Sequence, residues 1–243
     1  PDLVQEWRDI TASDVAVESG LFVFRSEGSE RIPLAYHPYD KGHTIDCHWR
    51  LCEWPEVQQV LNEGKLKAEK GEVGLTDIMV PGPGLFVFDP GTAYWRAADI
   101  RFDHRPLSLW AGRPKNETKS FVPLRLWRPQ LDQPLYLFVP KGTSRFVIGV
   151  VEGGDPYTRI QFKTSDGTII CDERLLAGDQ LSVSLDGKTP EPNAHTSSTD
   201  ATGKQGLVLS VGLDSLRCVL EIYNIPPYLA RHPSELLVPA DAL

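Results

Sequence analysis

Apolar and polar residues alternate in short runs through the second half of the chain: PLYLFVP (134–140), RFVIGVV (145–151), TRIQFKT (158–164), TIICDE (168–173), QLSVSL (180–185), GLVLSVG (206–212) and LRCVLEIY (216–223). A period of two is that of a strand with one buried face, so each run predicts a strand. Ser165-Asp166-Gly167 separates the third run from the fourth, and an Asp-Gly step there predicts a tight hairpin. Short strands at this spacing fit an antiparallel sandwich or jelly roll. Residues 186–204 have almost no apolar side chain and are expected to form an exposed loop.

The first half is strand-rich but less regular. Its candidates are GLFVFRS (20–26), IPLAY (32–36), TIDCHWRL (44–51), LTDIMV (75–80), GLFVFD (84–89), AADIRF (97–102) and FVPLRLW (121–127), with Pro81-Gly82-Pro83-Gly84 breaking the chain between two of them. One helix is predicted over 55–63: Pro55 suits a first helical position, Val57, Val60 and Leu61 follow i, i+3, i+4 spacing, and Gly64 can end the turn. The polar, proline-flanked segment RPQLDQP (128–134) is the expected boundary between two packed domains, 1–130 and 131–243. The fold class expected is therefore all-β, two antiparallel β-sandwich or jelly-roll domains with one short helix.

Composition supports this and removes several functions. Twenty glycines and twenty prolines against one methionine favour many turns over long helices. A net charge of −8 argues against nucleic acid, whose binding rests on basic residues that displace counterions. No apolar run approaches the roughly 20 residues a bilayer span needs, so no membrane partner is expected. The chain begins at Pro1 and reads as a mature protein or a piece of a larger one. Four cysteines, at 47, 52, 171 and 218, lack the C-x2-C spacing of structural zinc. A Cys171–Cys218 bridge and buried free thiols are the two readings of the distant pair.

The stretches LYLFVPKGTSRFVIGV and IYNIPPYLARHPSELLVP resemble the non-catalytic, carbohydrate-binding-module-like β-sandwich domains at the ends of secreted bacterial polysaccharide-degrading enzymes. The resemblance covers 131–243 and rests on turn residues and sheet pattern. Its matching positions (Val139, Pro140, Lys141, Gly142, Pro226, Pro227) are structural, so it transfers no catalytic or ligand residue. It implies an extracytoplasmic setting, a polysaccharide or oligosaccharide as partner, and other modules of a larger chain.

Candidate chemistry concentrates in YHPYDKGHTIDCHWRLCEW (36–54). On a strand over 44–51, Ile45, Cys47, Trp49 and Leu51 face the core while Asp46, His48 and Arg50 face away. Asp99 and Arg101 share a face in AADIRFDHR, as do Arg125 and Trp127 in FVPLRLWR. A solvated face with cross-strand ion pairs accounts for such positions. So does a glycan-binding face, in which carboxylate and guanidinium meet sugar hydroxyls and Trp54, Trp95 and Trp110, with Tyr39 and Tyr94, supply ring platforms. A zinc site from His37, His43 and His48 requires the preceding loop to fold back over the strand. No cofactor is expected; structural calcium would need a denser acidic loop than any present. The function expected is a non-catalytic carbohydrate-binding or accessory region. The alternatives are a small lyase or glycosidase, with Asp46 paired to Asp99 or Asp103 or with His48 as base, and an inert structural scaffold.

Overall fold

The computed structural model describes residues 16–38, 44–55, 57, 59–70, 72–91, 98–102, 107–112, 123–153, 156–185, 198–199 and 205–236. The described chain is all-β. In order it forms β1 (Ala16–Ser19), β2 (Leu21–Glu27), β3 (Glu30–Pro38), β4 (Ile45–Glu53), β5 (Val60–Ala68), β6 (Gly74–Val80), β7 (Pro83–Asp89), β8 (Ala98–Phe102) and β9 (Ser108–Trp110). The second half adds β10 (Leu124–Trp127), β11 (Leu135–Pro140), β12 (Arg145–Gly153), β13 (Thr158–Lys163), β14 (Ile169–Leu175) and β15 (Gln180–Ser184). It continues with β16 (Ser198–Thr199), β17 (Gln205–Asp214), β18 (Arg217–Tyr223), β19 (Tyr228–Ala230) and a 3-10 turn at Pro233–Glu235.

One sheet carries β14-β13-β17-β11-β19-β9-β2-β7-β4-β5 with β16 beside β17; a second carries β1-β10-β18-β12-β15; a third carries β6-β3-β8. All pairings are antiparallel. Because β1 also lies against β8, the two smaller sheets adjoin as a second layer facing the large one. Between the layers runs a single core drawn from both halves, including Phe22, Phe24, Phe88, Phe146, Phe162 and Leu229. Burial of this kind, at about 25 cal/mol per Å² of apolar area, is what holds two such layers together.

The pairings repeat. Setting β16 aside, β1–β9 correspond in order to β10–β19. Thus β2 pairs with β7 and β9 as β11 pairs with β17 and β19, β4 with β5 and β7 as β13 with β14 and β17, and β3 with β6 and β8 as β12 with β15 and β18. The two sets meet through equivalent strands, β9 on β19 with Leu109 opposite Leu229, and β1 on β10 with Val17 opposite Leu126. The segment expected as a boundary, 128–134, falls between β10 and β11, inside the second set. Both layers continue across it.

The predicted hairpin at Ser165-Asp166-Gly167 joins β13 to β14, with Gly167 at φ 86°, a value L-residues rarely adopt. The helix predicted over 55–63 does not form. Val60 begins β5, which pairs with β4 from Val60 to Ala68. The apolar spacing of Val57, Val60 and Leu61 is too narrow to bury a helix face, and Val60 stays 41% exposed. Gly64, expected as a helix end, has a different task. It lies opposite Trp49, where an added Cβ would come within 2.8 Å of three indole atoms. The exposed-loop expectation for 186–204 falls outside the described residues, apart from β16.

Candidate functional site

The faces of β4 are as its alternation requires. Ile45, Trp49 and Leu51 are buried, Cys47 packs against the core, and Asp46 and His48 are exposed on the outer surface of the large sheet with Arg50 half-exposed beside them. Each polar residue meets a polar neighbour: Asp46 lies opposite Lys67, His48 opposite Lys65, and Arg50 opposite both Glu63 and Asp89. Arg50 Nη2 donates to Asp89 Oδ2 at 2.5 Å. That bond, against the cost of burial, raises the guanidinium above its ordinary value. Asp89 is buried and also accepts from the Gly91 backbone N–H at 2.9 Å, so its two oxygens hold both the strand and the turn that follows.

The same positions recur on β13. Through the repeat, Asp46, His48 and Arg50 correspond to Arg159, Gln161 and Lys163, which alternate with buried Ile160 and Phe162. Arg159 Nε and Nη2 each donate at 2.7 Å to the Asp172 carboxylate, and Gln161 Nε2 donates at 2.8 Å. These bonds hold Asp172 down to about 2. Because its folded value lies below the unfolded one, the pair's contribution to stability is present above about pH 3.8 and is lost as pH falls through about 2.

Trp54 and Trp110 lie further across the same outer face, beyond Cys52. Their rings meet edge to face at 5.1 Å, and Trp54 Nε1 donates to Tyr228 Oη at 2.9 Å. With Leu21, Val23, Cys52 and Val87 they form an apolar group where the two sets join. Arg125 and Trp127 lie on β10 in the other layer. Arg125 Nη2 donates to Glu152 Oε2 at 2.6 Å, and the Arg217 and Arg128 guanidinium carbons sit 5.0 and 5.7 Å from the Trp127 ring centre. Arg217 Nη2 donates at 3.0 Å to Glu18 Oε1, a carboxylate on β1 that is only 7% exposed.

Burial pushes the Glu18 carboxyl up, more than Arg217 and Arg125 pull it down. A raised folded value means that protonation favours the folded state. Its stabilising effect is full below the unfolded value near 4.5 and is lost as pH rises through the folded one. Glu18→Gln should therefore match the native chain in acid and gain on it toward neutrality. Urea unfolding from pH 4 to 8 measures this; a gap that shrinks with rising pH would contradict it.

Of the ten residues expected to form one binding face, the described ones divide between the two layers. Asp46, His48 and Arg50 lie on the outer face of the large sheet, Trp54 and Trp110 further across that same face beside Cys52 and Leu21, and Arg125 and Trp127 on the outside of the opposite layer. Asp99 and Arg101 belong to β8, which also lies in that opposite layer, and Trp95 lies outside the described residues. An acid pair between outward-facing Asp46 and a residue of β8 would have to act through the sandwich; Asp103 is outside the described residues. The conditional three-histidine zinc site meets the same barrier, since His37 is on β3 and His48 on β4, in different layers; His43 lies outside the described residues. Among the described residues no group of three or more His, Cys, Asp or Glu could hold a metal ion.

Of the two readings of the distant cysteine pair, a Cys171–Cys218 bridge and unbridged thiols, the structure has the second. None of the four cysteines is in a disulfide; Cys171 is on β14 of the large sheet and Cys218 on β18 of the other layer. Burial pushes Cys218 up to about 12 and, ahead of Asp46 and Asp89, Cys47 up to about 11. Alkylation of the native chain at pH 8 should accordingly leave Cys218 unlabelled, and alkylation after unfolding without reductant should label all four. Any cysteine that needs reductant would show a bond the fold does not have.

No protein-family model and no curated protein matches the chain. Solved structures similar to it include procruciferin, an 11S globulin from Brassica napus, at 8% identity and TM-score 0.23, covering 89% of this chain and 71% of that one. The coconut allergen cocosin aligns at 9% identity and TM-score 0.23 over 88% and 72% of the two chains. An 11S allergen from Cocos nucifera aligns at 10% identity and TM-score 0.19 over 89% and 84%. Scores this low carry no argument about arrangement or activity. All three are globulins or allergens of plants. With no family model and no curated protein behind it, the resemblance to carbohydrate-binding domains is not upheld, nor are the bacterial origin, secretion and polysaccharide degradation it implied.

Proposed function

We propose that the chain is a non-catalytic structural scaffold, built as two interlocked sets of strands. The observation that carries this reading is how the space and the polar groups of the sandwich are used. The volume between the layers is filled by one continuous core of aromatic and branched side chains. On the outer face of the large sheet, equivalent strands β4 and β13 spend their polar residues on neighbouring strands, Arg50 on Asp89 and Arg159 with Gln161 on Asp172. Cross-strand pairs of this kind help to hold the strands in register.

Incubation with a panel of neutral and acidic polysaccharides, scored for reducing ends, for unsaturated products and for retardation in glycan-containing gels, tests the proposal. The expected result is no product and no retardation. Turnover or retardation that Arg50→Ala removes without lowering the melting temperature would replace the scaffold by a site on β4.

A further inference from the structure

Among the described residues, the strand pairings between the two nine-strand sets join strands that are equivalent in the repeat. In the large sheet β9 lies on β19, and Leu109 faces Leu229; in the other layer β1 lies on β10, and Val17 faces Leu126. Leu109 and Leu229 themselves occupy equivalent places, since β2 presents Phe22 to Leu109 as β11 presents Leu137 to Leu229. Such a junction is isologous: each side offers the other the surface it receives, as in a two-fold dimer. All four residues at its centre, Val17, Leu109, Leu126 and Leu229, are buried. One stretch of chain, between β9 and β10, connects the sets.

We infer that this junction also forms between chains. Its partner is a second copy of this chain, in a reciprocal dimer in which the first set of each copy docks on the second set of the other. Every backbone pairing and apolar contact at the junction can be remade in trans without change, because the strands that meet belong to separate sets joined once. What separates the closed monomer from the reciprocal dimer is concentration: a short connection supplies the partner set at an effective concentration of about 1 mM, against which free chains compete. The junction is the same whether or not the chain is a scaffold.

The test refolds the full chain from denaturant over a range of concentrations, followed by size-exclusion chromatography with light scattering. Monomer is expected near 10 µM, with a dimer fraction that rises roughly tenfold for each tenfold increase in chain concentration while dimer remains the minor species. A second arm refolds an equimolar mixture of two full-length variants, Leu109→Cys and Leu229→Cys. Directly opposed residues on antiparallel strands have Cβ atoms about 4.5–5.5 Å apart, close enough for a disulfide after slight adjustment. Neither variant can make this bond within one chain. An interchain disulfide between residues 109 and 229, located by peptide mass spectrometry, is the expected product. Monomer at every concentration up to about 1 mM overturns the inference. So does a dimer of the native chain whose mixed variants never yield the 109–229 bond, since it would be using another surface.

Discussion

Trp49→Ala is expected to lower stability by about 3–5 kcal/mol, a drop in melting temperature of roughly 6–20 °C for a chain of this size. The indole is 3% exposed, its ring centre lies 5.6 Å from that of Phe88, and the backbone of Gly64 lies beneath it. Truncation empties that space, and Gly64 has no side chain with which to refill it. The indole N–H is buried without a hydrogen-bond partner, a cost that Trp49→Phe would remove while keeping most of the volume. Trp49→Phe should therefore fall much nearer the native chain than Trp49→Ala does. Equal losses in the two variants, measured by urea unfolding, would show that the ring's packing is not what the site supplies.

Leu229→Ala should cost about 2–5 kcal/mol, with an effect that is not local. Leu229 is fully buried in the shared core on the three-residue strand β19, between β11 of its own set and β9 of the other. Because the core is continuous across the junction, the variant should still unfold in one transition, at lower denaturant. Amide exchange in β2 and β11 should quicken together. Two separated transitions, with β2 unaffected, would mean that the sets fold independently despite the shared sheet.

Most strands are legible in the sequence, because alternation at a buried sheet face leaves a period of two. The runs around residues 20–26, 84–89, 145–151 and 158–164 all emerge as strands close to their expected bounds. The failures have physical causes. β5 buries only Leu66 and Ala68, with Gly64 under Trp49, so its inward face carries too few apolar side chains to show a strand period. β1, β9 and β19 have three or four residues each, too short for any period to register, yet they make the junction. The repeat is invisible residue by residue because equivalent positions conserve direction and not identity: Asp46, His48 and Arg50 stand where Arg159, Gln161 and Lys163 stand.

The candidate site was legible in part. Alternation sorts β4 into its two faces and sets Arg125 and Trp127 outward on β10. It does not say which layer a strand joins, and Asp46 and Asp99 lie on strands of opposite layers. The partners that engage the outward residues are also distant in sequence. Asp89 closes the FVFD run as the last outward residue of β7, a position that alternation marks, whereas Glu18 pairs with Arg217 across 199 positions and leaves no local trace.

The rungs of the large sheet are unevenly distributed along its width. β2 and β7 are opposed over six positions, as are β11 and β17, but β19 is opposed over two positions to β9 and over two to β11. Mechanically this is a waist. A load pulling the two ends of the sheet apart passes through every strand pairing in series, and it will part the member with fewest bonds in parallel. Stretched between handles on β5 and β14, the molecule should yield first at β19, on the side of β9 or of β11, as a short extension at low force, before either six-rung pair gives way at higher force.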